Sequence, residues 1–205
     1  MDDMWGVVAA ERGALADDLA TLDDASWDTP SLCTEWTVRD TVAHMVGTAE
    51  MTPPKFLGKM AGNWFSFQKM VAKDIAEKRG ASPADTLQRL RDVRDRTTAP
   101  PGPKTSWLGE TIVHAEDVRR PLGLARVYPM EAVVAVAGFY QGSNTLIGSK
   151  RRIEGLALRA TDTDWSHGSG APVEGPMLSL LLAMTGRTVA CEDLTGEGAE
   201  MLRRR

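Results

Sequence analysis

The sequence predicts a mainly α-helical protein, in which a helical bundle is followed by a small α/β domain. In the first three quarters of the chain, apolar residues recur at the three- and four-residue spacing of amphipathic helices. Residues that favour helix N-termini, such as Thr37 and Ser82, precede these stretches. The pattern changes after Gly148, where Gly155–Thr161 alternates like a half-buried strand. We therefore expect a bundle over residues 1–148 and a small α/β domain over residues 149–205.

The bundle domain contains a series of predicted helices. Thr37 is expected to cap the second of them, and the prolines at 53 and 54 should kink or stop it, because proline removes a backbone donor. Thr105 or Ser106 is expected to cap a later helix, which ends at Gly123 in a left-handed conformation. The predicted helices are Met4–Leu22, Thr37–Ala49, Asn63–Lys78, Pro83–Thr97, Trp107–Gly123 and Pro129–Gly148.

The last quarter of the chain mixes strand and helix signals. After the strand Gly155–Thr161, the glycine-containing stretch Trp165–Pro172 is expected to form a hairpin or a loop. Pro176–Thr185 is an apolar run that begins with proline and is followed by glycine, as a short helix is. Thr188–Ala190 is predicted as a short strand and Glu192–Leu202 as a closing helical segment.

Charge and composition argue against a nucleic-acid-binding protein. The chain has 24 basic and 28 acidic residues, hence a formal net charge of −4, and 42% of its residues are hydrophobic. Its only basic runs, Lys150–Arg152 and Arg203–Arg205, are too short to follow a phosphate backbone. We therefore expect no nucleic-acid partner. The hydropathy of the chain, described next, likewise argues against a membrane partner.

Cysteine usage and hydropathy predict a cytoplasmic protein. Cys33 and Cys191 lie in unrelated contexts without CxxC spacing, which indicates reduced thiols. The N-terminus has no apolar signal core, and no stretch approaches the roughly 18 apolar residues of a membrane-spanning helix.

Two predicted helices carry side chains that could hold a metal ion. Glu110 and His114 are four residues apart, with Asp117 three residues further on, so all three can project from one helix face. His44 could complete the set from another helix. On helical wheels, however, these groups lie opposite the apolar arcs. Periodicity alone therefore favours a solvated polar face over a metal site, although the two helices could still meet in a groove at the edge of the bundle, covered by the C-terminal domain.

The residues around these donors resemble a known family. The segment LCTEWTVRDTVAHM, residues 32–45, and the segment GETIVHAEDVRRPLG, residues 109–123, are similar to two signatures of the mycothiol-dependent maleylpyruvate isomerase family. Members of that family have a DinB-like four-helix bundle. The C-terminal stretch GPMLSLLLAMTGRTVACEDLTGEGAEML resembles the reduced sterol-carrier-like domain that follows the bundle in this family.

The resemblance implies a site and a class of reaction. It places the metal ligands on His44, Glu110 and His114, and it makes Arg187 an active-site residue contributed by the C-terminal domain. The implied cofactors are a divalent metal, for which zinc is the preferred identity, and the thiol mycothiol. The expected activity is that of an isomerase or thiol S-transferase acting on small electrophiles. The alternative is a non-catalytic bundle that binds a metal or a small ligand.

Several other residues have two interpretations. Asp117 could replace Glu110 as a ligand, but it more readily orients His114, and Asp40 could accept the second ring proton of His44. His167 is interpreted as a surface histidine, and Cys33 as a small buried residue rather than a nucleophile. The tryptophans that could form walls of the pocket are Trp36 and Trp107.

Overall fold

The computed structural model describes residues 3–145 and 147–205, and the chain divides into two compact units. One unit ends at Val127, and the other begins at Tyr128 and extends to Arg205. The predicted fold class is confirmed, because the chain is mainly helical and has one small sheet near its C-terminus. In the described part of the chain, no helix has the length and apolar character needed to cross a membrane.

The first unit is a bundle whose helices begin at well-defined caps. Thr37 forms a capping box with Asp40, and Ser82 accepts a hydrogen bond from the backbone of Asp85, as the sequence predicts. A short 3₁₀ helix, Asp24–Asp28, connects the first two α-helices. The helices are α1 (Met4–Leu19), α2 (Val38–Glu50), α3 (Pro53–Gly62), α4 (Phe67–Lys78), α5 (Pro83–Asp92) and α6 (Lys104–Arg119).

Helix α2 lies in the middle of this unit and packs on α4, α5 and α6, while α1 packs on α5 and α6. Leu15, Met45, Leu90 and Val118, from four different helices, are buried in one apolar cluster. Removing this apolar surface from water stabilises the fold by roughly 25 cal/mol per Å². A smaller cluster joins α2 to α4 and is covered by Trp36, Phe56 and Met60.

Some predicted helix ends are wrong. Pro53 and Pro54 stop α2, as expected, but they also start α3, since the first turn of a helix needs no backbone donor there. Helix α4 begins at Phe67 instead of Asn63, after a left-handed turn at Trp64 and Phe65. Helix α6 begins at Lys104 without a side-chain cap, so neither Thr105 nor Ser106 has the predicted role.

The second unit combines three short strands with helices. Strand β1 (Leu156–Ala160) lies between β2 (Ser166–Gly168), which is antiparallel to it, and β3 (Ala171–Gly175), which is parallel. The predicted strand at Thr188–Ala190 is wrong, because Thr188–Asp193 forms a 3₁₀ helix. The helices of this unit are α7 (Met130–Tyr140), α8 (Ser149–Arg152), α9 (Met177–Met184) and α10 (Glu197–Arg203).

The division between the units falls earlier than the change of sequence pattern at Gly148. Helix α7, which the sequence pattern places in the bundle, packs on α9 of the second unit. Ala132, Val133 and Val136 are buried on α7. The domain boundary at 148 stays a prediction, and the contacts of α7 place the division of the compact units at residue 127.

Candidate metal centre

Helices α2 and α6 bring together three side chains that can bind a metal. His44 lies on α2, and Glu110 and His114 lie one turn apart on α6. Each offers one ligand atom, and these atoms lie within 4.8 Å of one another. The two imidazole rings are edge to face, with centroids 5.0 Å apart. The three residues named from the family resemblance therefore form one cluster in the bundle unit.

The donors converge because both helices are covered on more than one side. On α2, Val42 and Met45 belong to the main core, whereas Ala43 belongs to the smaller cluster with α4. On α6, the residues adjacent to the donors are also buried, including Val113 and Asp117. The polar face that the helical wheel assigns to solvent is thus bordered by buried residues, while the three donors themselves are only partly exposed.

His44 is held in the form that binds a metal. Burial and the charge on His114 lower the pKa of His44 to about 3, although Asp117 opposes the shift. The imidazole is therefore neutral at pH 7, and a neutral imidazole has a nitrogen lone pair available for a cation. Trp36 packs on this ring, with centroids 4.9 Å apart.

The residues that the structure describes around Glu110 do not provide hydrogen bonds for both of its carboxylate oxygens. Its Oε1 atom is buried and has no hydrogen-bond partner among the described residues. Burial raises the pKa of Glu110, while the charges of His114 and Arg12 and hydrogen bonds from Thr48 and Thr111 act in the opposite direction. A buried acceptor without a partner costs about 1–3 kcal/mol, so this oxygen is suited to a cation.

His114 is oriented by a carboxylate. Its Nδ1 atom lies 2.8 Å from Oδ2 of Asp117, whose side chain is fully buried. Burial alone would lower the pKa of His114, but hydrogen bonds with Asp117 and Cys33 outweigh it and raise the pKa to about 10. When the Nδ1–H group donates a hydrogen bond to Asp117, Nε2 is the ring nitrogen left to bind a metal.

These features fit a divalent cation. The donor set comprises two imidazoles and one carboxylate, which is a common combination around catalytic zinc. The unpartnered oxygen of Glu110 and the neutral ring of His44 are both ready to donate lone pairs. His114 would have to give up a proton to bind, and Asp117 is positioned to retain the proton on the opposite nitrogen.

Other residues named from the sequence have different surroundings. Asp40 bonds to the backbone and hydroxyl of Thr37 and pairs with Arg79 at 3.1 Å, so its contacts are those of a helix cap. Trp36 lies beside both histidines, with its ring centroid 6.3 Å from that of His114. His167 is on β2, with its ring 6.4 Å from that of Trp165.

Arg187 belongs to the second unit, where it immediately precedes the 3₁₀ helix that begins at Thr188. Its Nη1 atom donates a hydrogen bond of 2.8 Å to the carbonyl of Thr185. Burial and the nearby charge of Arg187 lower the pKa of Arg152. The predicted role of Arg187 in catalysis stays a prediction.

Sequence reasoning missed two residues near Glu110. Thr48 is four residues after His44 on α2, a spacing that could have shown that they share a face. Arg12 is 2% exposed on α1, where its Nη1 atom donates to the carbonyls of Val93 and Arg96. The available signal was an arginine on the same helix stripe as the apolar residues Val8 and Leu15, because a charge is seldom buried without partners.

Solved structures with a similar fold include the crystal structure of the mycothiol-dependent maleylpyruvate isomerase and that of a histidine-to-alanine mutant of this enzyme. The mutant structure has a TM-score of 0.66 and 15% identity, and the match covers 97% of this chain and 93% of that one. The other structure has a TM-score of 0.62 and 14% identity, with the same coverage. At this identity the similarity establishes the fold alone.

Sequence comparison identifies the family. No match was found among curated proteins. The family model described as the mycothiol maleylpyruvate isomerase N-terminal domain matches residues 8–134, which is more than half of the chain and includes α2 and α6. This match confirms the family that the sequence motifs predict: the chain belongs to the mycothiol maleylpyruvate isomerase N-terminal domain family.

Proposed function

We propose that this protein is a metal-dependent enzyme that uses a low-molecular-weight thiol, mycothiol, in reactions of small electrophilic substrates. The reaction class is isomerisation or S-transfer, in which the thiol adds to an electrophilic carbon of the substrate. His44, Glu110 and His114 are the proposed metal ligands. The proposal places this activity in the cytoplasm, where the thiols of Cys33 and Cys191 remain reduced.

The convergence of the three donor side chains is the observation that carries this proposal. Their ligand atoms lie within 4.8 Å of one another, although His44 is more than sixty residues away from the other two in sequence. Three protein ligands leave a coordination position for an external ligand, as catalytic zinc sites do, whereas structural zinc sites use four. Zinc is the proposed cation because imidazole and carboxylate ligands both suit it.

A divalent metal at this position would supply Lewis acidity, which lowers the pKa of a bound thiol and increases its nucleophilicity. The residues of the chain prepare the site for this role. Asp117 fixes the orientation and tautomer of His114 through the 2.8 Å hydrogen bond at Nδ1. Trp36 packs against the His44 ring, with the two ring planes tilted by 45°.

The Asp117→Asn variant should bind metal about 10- to 100-fold more weakly than the wild type. Asparagine keeps an acceptor for the Nδ1 proton of His114, but it loses the negative charge that makes the imidazole a stronger donor. Competition titration with a metal-sensitive chelator measures the affinity. Asp40→Asn, at a helix cap on the other ligand helix, is the control and should bind metal as the wild type does.

Arg187 is proposed to bind a carboxylate of the substrate, a role that rests on the family resemblance. The Arg187→Ala variant should keep its full metal content and show a KM about 10- to 100-fold higher for a carboxylate-containing electrophile, since it loses a charged hydrogen bond. Steady-state kinetics would measure this effect. A neutral electrophile is the control, and an equal loss with both substrates would contradict the proposed role.

Turnover in the presence of mycothiol tests the proposed function directly, since S-transfer consumes the thiol whereas isomerisation releases it again. Purified protein, stripped of metal and then reloaded with Zn²⁺, is mixed with mycothiol and a panel of small electrophiles that includes maleylpyruvate. We expect thiol-dependent turnover that disappears with the metal and returns on reloading. If the loaded protein binds zinc but never accelerates loss of thiol or change of substrate, it is a non-catalytic binding protein.

A further inference from the structure

A second cluster of metal-binding side chains shares His114 with the proposed centre. The Sγ atom of Cys33 lies 3.0 Å from Oδ2 of Asp117 and 3.5 Å from Nδ1 of His114. That ring nitrogen is 2.8 Å from the same carboxylate oxygen. A sulfur, a nitrogen and an oxygen therefore form a small triangle that includes neither His44 nor Glu110.

Backbone contacts hold the thiol at this position. The amide of Leu32 donates to the carbonyl of Asp117 at 3.1 Å, which attaches the loop before α2 to helix α6. The amide of Cys33 donates to Oγ of Ser31 at 3.1 Å, and that hydroxyl accepts from Thr41 on α2 at 2.9 Å. The loop is thus ordered by the fold, so a ligand binding at the triangle would not have to meet the entropic cost of ordering it.

We propose that Cys33, Asp117 and His114 form a second cation position, for a thiophilic divalent ion such as Zn²⁺ or Co²⁺. The mixed donor set suits these ions, since thiolate and imidazole are preferred ligands of zinc. In tetrahedral zinc sites the donor atoms lie about 3.3–3.6 Å apart, given the usual metal–ligand distances. The sulfur–nitrogen distance of 3.5 Å already matches this range. The sulfur–oxygen distance of 3.0 Å and the nitrogen–oxygen distance of 2.8 Å are those of hydrogen bonds. Both would lengthen by about half an ångström when a cation replaces the protons.

Once the first ion has bound and His114 is neutral, the exchange of protons for a second cation leaves the charge of the Cys33 cluster unchanged. One proton leaves the thiol of Cys33 and one leaves Nδ1 of His114, and both pass to solvent as one divalent ion binds. This balance matters because Asp117 is fully buried, where uncompensated charge is costly. The second ion should bind more weakly than the first, since it breaks the hydrogen bond between His114 and Asp117 and uses both nitrogens of one ring.

Cobalt titration of the metal-free, full-length protein tests this proposal. Co²⁺ bound by a thiolate gives a near-ultraviolet charge-transfer band that nitrogen and oxygen ligands do not give. We expect the band to appear with the second equivalent of Co²⁺ and to be lost completely in Cys33→Ser. Cys191→Ser removes the other of the two cysteines, which is buried in the second unit, and should keep the band.

A third variant separates this inference from the proposed function. His44→Ala removes a ligand of the first centre and leaves the Cys33 cluster complete, so it should still give the thiolate band. The first equivalent of Co²⁺ should bind to the wild type without giving the thiolate band. If it does not bind in this way, the result counts against the proposed His44 centre and not against the second position. A wild type that gives no thiolate band at any excess of Co²⁺, or a band that persists in Cys33→Ser, would overturn the second position. Far-ultraviolet circular dichroism of each variant confirms that it is folded.

Discussion

Replacing His114 with alanine should remove the metal from the protein. Structural zinc sites bind with about 10–16 kcal/mol through four ligands, so one ligand is worth about 3 kcal/mol, or roughly 100-fold in affinity. The variant also leaves Asp117, a fully buried carboxylate, without its imidazole partner. We therefore expect the metal content after competitive dialysis to fall from about one ion per chain to nearly none, as measured by elemental analysis.

His167→Ala is a suitable control for the His114 experiment. It also removes a histidine, but from strand β2 of the second unit. Its metal content should equal that of the wild type. Full loading of His114→Ala under the same dialysis would show that His114 is not a ligand and would remove the basis of the proposed centre.

The Glu110→Gln variant should change metal affinity and stability in opposite ways. Glutamine preserves the shape of the side chain but removes the charge, so metal binding should weaken by roughly 100-fold, the value of one ligand. The free energy of unfolding of the metal-free protein should stay the same or rise. Burial raises the pKa of Glu110, which means that the ionised carboxylate is penalised in the folded state when no cation is present.

Glu116→Gln is the matched control, because it lies on the same helix and is 4% exposed. Its Oε2 atom accepts a hydrogen bond from Arg120 at 3.2 Å, so this substitution should lower stability by about 1–3 kcal/mol and leave metal affinity unchanged. Urea unfolding in the presence of a chelator and competition titration measure the two quantities. A large loss of metal-free stability in Glu110→Gln would indicate a structural role for Glu110 instead of a ligand role.

The family resemblance names all three proposed ligands, whereas residue patterns alone predict the site only in part. The spacing of Glu110 and His114 places them one turn apart on a helix, and the structure has them on α6. Periodicity nevertheless indicated a solvated face for these residues and for His44. The three donors are in fact partly exposed, but the wheel does not show that they meet. It assumes one buried side per helix, whereas α2 contributes to two apolar clusters and α6 is buried around most of its surface.

The contacts around His114 could be predicted from the sequence even less well. Cys33 is 81 residues from His114, and its contact with Asp117 depends on a backbone hydrogen bond between Leu32 and the carbonyl of that aspartate. No local pattern encodes such a contact. The missed arginine, Arg12, likewise acts on Glu110 from a different helix.

The sequence by itself determined the local structure: the caps at Thr37 and Ser82, the helix start at Pro83, and the types of side chain able to bind a metal. These features depend on neighbouring residues, so they can be inferred from short stretches of chain. Only the tertiary structure decided that His44, Glu110 and His114 meet, and that Cys33 and Asp117 adjoin the same imidazole. That convergence follows from how the helices pack, which is set by burial of their apolar residues over the whole bundle and not by any single segment.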